Sequence, residues 1–303
     1  MCHYRLVSTL LLAGSALISF AVNAAVLTSI KPLAFISAAI TDGVTQTDVL
    51  LPDGASPHTY ALRPSDIKRL RDAELVVWIG KDMEVFLDKP LQSIAPEKKL
   101  TLTDLKSIDV LLLKNTESSD HDHDHDHDHG ATDMHIWLSP VIAKQIATEL
   151  HHKLVGFYPT QKAILDANLQ FFIQELEQGE QNVGRMLQPL KGKGYFVFHD
   201  AYQYFEHYFG LTQSGHFTIN PEIQPGAQKL HQIRTTLVKQ NVQCVFAEPQ
   251  FKPAIIGSVT QGLKVKQGIL DPMGTNIKIS KESYLMFMNQ LSSQFKNCLK
   301  DET

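Results

Sequence analysis

From residue 25 to the C-terminus, short apolar runs alternate with longer segments that carry helix-start chemistry, and few architectures accept that order. Residues 25–30 read as a strand. Lys31-Pro32 then opens a helix through residue 40, and Asp42-Gly43 stops it. Residues 47–51 return as a strand, followed by the turn-rich loop PDGASPHTY over 52–60. Arg63-Pro64-Ser65-Asp66 starts a short helix with Ser65 as its cap, and ELVVWI over 74–79 is a buried strand ended by Gly80. Residues 83–94 read as helix and 99–102 as strand. Strands separated by helices predict a parallel sheet covered on both faces.

The second half repeats this logic. Strands are expected at 195–198, within 211–219, at 244–247 and at 264–270, with helices at 201–209, 226–240, 253–263 and 280–299. Between the halves, Ser139-Pro140 caps a helix that runs to about residue 155. Pro159-Thr160 then begins a longer one that runs to about 188. Leu165, Leu169, Phe172, Leu176, Val183 and Leu187 keep its apolar spacing, Glu180 interrupts the stripe, and Pro189 ends it. Gly179 and Gly184 each cost such a helix about 1 kcal/mol relative to Ala. The expected architecture is therefore α/β. It has two lobes, each a parallel-type sheet flanked by helices, joined by a long rigid helix, with the functional site in the cleft between them. The divisions are a leader at 1–24, a first lobe at 25–157, a linker helix at 158–190 and a second lobe at 191–303.

The leader has one charge, Arg5, then an apolar run over 6–20 and the small-residue end Val22-Asn23-Ala24. That is the pattern of an export signal, with cleavage expected after Ala24. Ser15 stands where a bacterial lipoprotein would need Cys, so no lipid anchor is expected. A chain that is 43% hydrophobic and 20% charged suits a soluble globular protein outside the cytoplasm. Its net charge of −4 gives nucleic acid no reason to bind. Cys2 leaves with the signal, and Cys244 and Cys298 remain. In an oxidising compartment two thiols predict one disulfide, tying the last helix to a strand. Two buried free thiols and a two-thiol metal site are the alternatives.

Asp120 to His129 reads DHDHDHDHDH, five Asp and five His in strict alternation. No packed core uses such a run. Imidazole nitrogen and carboxylate oxygen are ligands for zinc, nickel and copper, so the tract reads as metal-binding through His121, His123, His125, His127 and His129. Each ligation must first order the chain, which makes this an accessory, low-affinity site. A better-built site is expected elsewhere. Ligands of open parallel sheets bind at the carboxyl ends of strands. His58 and His199 sit just past strands, His135 sits just before a helix cap, and Asp271 follows a strand. Three imidazoles and one carboxylate suit Zn²⁺. His216 is the reserve ligand. His151, His152 and His231 are expected on solvated helix faces, and His207 in packing.

Several stretches together carry a family likeness: GASPHTYALRPSD (54–66), MHIWLSP (134–140), FVFHDAYQYFEHYFG (196–210), NPEIQPGAQKL (220–230), CVFAEPQF (244–251) and LDPMG (270–274). They resemble the ZnuA family, periplasmic zinc-binding proteins of bacterial ABC uptake systems, over essentially all of 26–303. The resemblance implies two α/β lobes joined by a rigid helix. It also implies metal held in the cleft and handed to a membrane permease driven by a cytoplasmic ATPase. By position, His58, His135 and His199 match the family's ligand histidines, and Asp271 its acidic residue on the fourth strand. Some zinc members carry Glu directly before the first histidine, where this chain has Pro57, so the fourth ligand is Asp271 or a water. Manganese-binding relatives carry a carboxylate at the position of His199. The His-rich acidic loop at 115–132 and the Cys244–Cys298 pair also resemble that group.

The expected function is periplasmic capture of Zn²⁺, as transported substrate, by a monomer that is not an enzyme. Two alternatives stand beside it. One is a zinc hydrolase using the three histidines, although no H-E-x-x-H motif is present and only Glu222 and Glu248 offer a base. The other is an adhesin or a buffer of another divalent metal, such as Mn, Ni or Cu.

Overall fold

A computed structural model describes residues 26–113, 132–251 and 254–300. The leader 1–24 and the tract histidines His121, His123, His125, His127 and His129 lie outside the described residues. Eight strands form two sheets: β1 (Val26–Thr28), β2 (Thr47–Val49), β3 (Leu75–Trp78), β4 (Lys99–Thr101), β5 (Tyr195–His199), β6 (Gly215–Thr218), β7 (Cys244–Ala247) and β8 (Lys266–Ile269). The helices are α1 (Lys31–Thr41), α2 (Pro64–Asp72), α3 (Val85–Gln92), α4 (Lys106–Asp109), α5 (Pro140–Phe157), α6 (Lys162–Leu187), α7 (Gln203–Phe209), α8 (Ala227–Lys239), α9 (Ala254–Thr260) and α10 (Ser283–Leu299).

The sheet orders are β2-β1-β3-β4 and β6-β5-β7-β8, with every pairing parallel. The chain leaves the first strand of each sheet one way and returns the other. A crevice therefore opens at the carboxyl ends, between β1 and β3 and between β5 and β7. The inner strands β1, β3 and β5 are buried along their length, as a parallel sheet covered on both faces requires.

Most elements begin and end where the sequence places them. Ser139 caps α5 by accepting the Ile142 N–H (3.3 Å), and Gly210 closes α7 in the left-handed conformation (φ 69°). Ser65 is not the cap of α2. The helix starts one residue earlier, at Pro64, because proline prefers the first helical position. Arg63 is the flanking residue, and its N–H is taken by the Asp66 carboxylate (2.9 Å). The long helix is preceded by a 3₁₀ turn, Pro159–Gln161, so α6 itself starts at Lys162.

α6 is packed along much of its length rather than standing free. It lies against α1, α5 and α10 and buries Leu165, Phe172, Leu176, Val183 and Leu187. Gly179 is where α10 comes closest, since a Cβ there would meet Leu285 Cδ1 at 2.0 Å. Glu180, which breaks the apolar stripe, accepts from the Tyr208 hydroxyl.

One continuous core runs through both lobes, from Val26 and Phe35 to Tyr284, Phe287 and Phe295. A smaller cluster, including Phe198, Phe217, Ile233 and Val259, lies under α8 and α9 on the far face of the second sheet. The Phe35 and Phe287 rings meet across the lobes at 5.9 Å. Cys244 and Cys298 form a disulfide that fastens the end of α10 to β7, with Cα atoms 6.0 Å apart and both residues buried. No helix among the described residues is long and apolar enough to cross a membrane.

Candidate metal centre

Three histidines from separate parts of the chain converge between the lobes. His58 comes from the loop after β2, His135 from backbone just before the 3₁₀ turn Ile136–Leu138, and His199 is the last residue of β5. Their nearest ligand atoms lie within 4.8 Å of one another. Ring centroids are 5.6 Å apart for His58–His135, 5.0 Å for His58–His199 and 4.8 Å for His135–His199. His135 and His199 are buried and His58 is half-buried. Around them Pro57, Trp137, Glu248, Phe251 and Met273 close a pocket of about 10 Å³, room for one ion or one water. Larger hollows of about 380 and 410 Å³ lie elsewhere, beside His151 and beside Lys31. They fit a metal ion worse, because an ion needs ligands at about 2 Å on every side.

The electrostatics keep lone pairs available. Burial, reinforced by the neighbouring charges of His135 and then His199, lowers the His58 pKa to about 2. Its ring is thus uncharged, with a nitrogen lone pair available, through the whole ordinary pH range. His135 Nδ1 lies 2.7 Å from Asp133 Oδ1, while its Nε2 is buried without a hydrogen-bond partner. Both ring nitrogens of His199 are also buried and unpartnered, with Nδ1 3.5 Å from Glu248 Oε1. Buried polar atoms normally find partners. A cation in the pocket would take the lone pair of each ring, leaving the His199 N–H to an acceptor such as Glu248.

Asp271 is buried (2% exposed) but is not part of the three-histidine group. Its oxygens accept the N–H groups of Met273 (3.1 Å) and Thr275 (2.7 Å), holding the turn after β8. His216 on β6 faces Asp200 (3.5 Å) and lies outside the group. His151 is not on a solvated face. α6 crosses α5 there, and His151 Nε2 pairs with Asp166 (2.8 Å). His207 is exposed rather than packed, because α7 turns it away from Tyr204 and Phe205. His152 and His231 are exposed. Sequence reasoning missed Asp133 and weighed Glu248 only as a hydrolytic base. The Asp-x-His spacing of 133 and 135 was the available signal.

A family model described as zinc-uptake complex component A, periplasmic (ZnuA), matches residues 26–298. This chain belongs to the ZnuA family. It is 56% identical over 292 residues to the high-affinity zinc uptake system protein ZnuA of Yersinia pestis, with 92% of each chain covered. Among solved structures, a crystal structure of ZnuA superposes with a TM-score of 0.75 at 26% identity, covering 91% of this chain and 98% of that one. An internal-deletion variant of ZnuA with zinc bound superposes with a TM-score of 0.74 at 25% identity, covering 92% and 98%. Two parallel four-stranded sheets with a long helix are thus shared with ZnuA structures. The pocket's nitrogen donors suit the cargo named for that family.

Proposed function

We propose that this chain is the zinc-capturing component of a bacterial ABC uptake system. It works in the periplasm as a monomer, without turnover, and passes zinc to a membrane permease powered by a cytoplasmic ATPase. The observation that carries this reading is the convergence of His58, His135 and His199 on a pocket of ion size. Three neutral imidazoles with one open position suit tetrahedral Zn²⁺, and an all-nitrogen set favours zinc, nickel or copper over manganese. Water fills the fourth position, or Asp271 does after giving up its bonds to Met273 and Thr275. Residues 1–24 direct export. The tract at 120–129 gathers zinc loosely ahead of the cleft.

The lobes share a core and are tied across the cleft. Trp137 Nε1 donates to the Pro272 carbonyl (2.7 Å), and the Tyr284 hydroxyl donates to the Trp137 carbonyl (2.9 Å). Such a frame favours release by loop movement over wide domain closure. Solution scattering with and without zinc is expected to give nearly superimposable profiles; a large compaction would remove this part of the reading.

The deciding experiment is a chelator-competition zinc titration of residues 25–303 with 115–132 deleted. One tight zinc per chain is expected to survive. Loss of tight binding would move the site to the tract and overturn the three-histidine assignment.

A further inference from the structure

The three histidines are not held alike. The Asp133 carboxylate accepts from both the backbone N–H (2.9 Å) and the ring Nδ1 (2.7 Å) of His135. An ionised carboxylate only accepts, so Nδ1 carries the hydrogen and the lone pair is left on Nε2. Asp133 is itself fixed on both sides. Its N–H donates to the Leu113 carbonyl (2.9 Å), and its carbonyl accepts from the Tyr204 hydroxyl of the second lobe (2.8 Å). That hydroxyl also accepts the Leu113 N–H (2.9 Å).

His199 has a similar neighbour. Glu248 Oε1 lies 3.5 Å from its Nδ1 and accepts from the buried Tyr202 hydroxyl (3.1 Å). At 3.5 Å this is an approach and not a hydrogen bond, of the kind that tightens when the ring is drawn toward a ligand.

No carboxylate is paired with the His58 ring among the described residues. Among the described residues, its aromatic ring contacts are with the other two imidazoles. Its loop is tied to the second lobe through an exposed bond from Thr59 to Glu222 (3.0 Å).

We infer that Asp133 and Glu248 are positioning residues. Asp133 locks His135, and Glu248 steers His199 from 3.5 Å, each toward the Nδ1–H form that leaves Nε2 as the lone-pair atom, while His58 is the ligand that closes and opens the site. The inference rests on the three-histidine reading above. It assigns the two buried histidines to capture and the loop histidine to retention, so loss of His58 speeds zinc release and leaves the pair in place.

The test uses the full mature chain, metal-free and ¹⁵N-labelled, with long-range imidazole correlation spectra to read each tautomer. The wild type is expected to hold His135 as the Nδ1–H form. Asp133→Ala should release it to a mixture and weaken zinc binding about 10- to 100-fold by chelator competition. Asp133→Asn, which keeps an acceptor, should retain the tautomer and lose less affinity, and it carries the test if the alanine variant does not fold. Glu248→Ala and Glu248→Gln should give the same ordering at His199. Unchanged tautomers with unchanged affinity in the alanine variants, or wild-type affinity in Asp133→Asn with a mixed tautomer, would overturn the inference. His199→Ala separates the two readings. If it binds zinc as the wild type does, the three-histidine site itself is wrong. If it loses zinc while Asp133 and Glu248 variants do not, only the positioning role fails.

Discussion

In the first lobe the pocket histidines come from irregular backbone, His58 from a turn-rich loop and His135 from the edge of a single 3₁₀ turn. In the second lobe His199 ends a fully buried strand. Yet the two sheets have one strand order, and both aim their carboxyl ends at the same cleft. The difference lies in what sets each side chain's position. The strand places His199 through backbone pairing with β6 and β7. His135 is placed by its bonds to Asp133, whose carbonyl Tyr204 of the second lobe holds in turn, and by the ring of Trp137, which is itself tied to Pro272. His58 depends on its loop. One fold thus supplies two firmly placed histidines and one carried on a loop.

The sharpest way to break this comparison is to replace the three histidines singly. His199→Ala or His135→Ala should weaken zinc by about 1000-fold, roughly 4 kcal/mol. His58→Ala should cost about tenfold less and act mainly on the dissociation rate, measured by stopped-flow chelation. Equal losses at all three would erase the distinction.

The disulfide belongs to the second lobe alone, although α10 also packs on α1 of the first. Replacing Cys244 and Cys298 by Ala should remove about 2–4 kcal/mol of stability in calorimetry. One zinc per chain should still bind, because no ligand rides on that bridge.

Each lobe also buries a glutamate whose pKa is raised. Glu84 accepts the Ile79 N–H (2.7 Å), and burial raises its pKa to about 7. Glu206 accepts from the Tyr195 hydroxyl (2.8 Å), and burial raises its pKa to about 8. A folded pKa above the unfolded value means the folded state holds a proton that the unfolded state releases. That stability is complete below about pH 4.5 and is lost as pH climbs through about 7 for Glu84 and about 8 for Glu206. Glu84→Gln should flatten the decline between pH 5 and 8 by about 1–3 kcal/mol in denaturant titrations. Glu206→Gln should flatten the same decline and extend the effect about one pH unit higher, to about 8.

The smallest effects fall on α6. Gly184→Ala meets open space and should stabilise by about 1 kcal/mol. Gly179→Ala must push Leu285 aside and should destabilise by about 1 kcal/mol or more. The two thermal shifts should therefore have opposite signs.

Much of this was legible in the sequence, for physical reasons. The strand β7 falls on the residues that its apolar run marks, because a strand buried on both faces has no polar interruption to blur its ends. His58, His135 and His199 stood out because strand ends and caps point at clefts. Partners distant in sequence did not stand out. The burial of His151 depends on where α6 crosses α5, and the use of Asp271 by a turn depends on the path of 272–275. Spacing carries neither. The cost of Gly179 was visible, while its reason, the approach of Leu285, was not.

Leu113 and Asp133 are joined backbone to backbone, and a single tyrosine hydroxyl bridges them. Leu113 and Asp133 are thereby held together as a closed neck. For an insertion at such a neck, doubling the length adds only about 0.6 kcal/mol of closure entropy. The neck leaves its number of Asp-His pairs open to natural variation or to engineering. Residues could be gained or lost there one repeat at a time while His135, two positions beyond the neck, stays where it is.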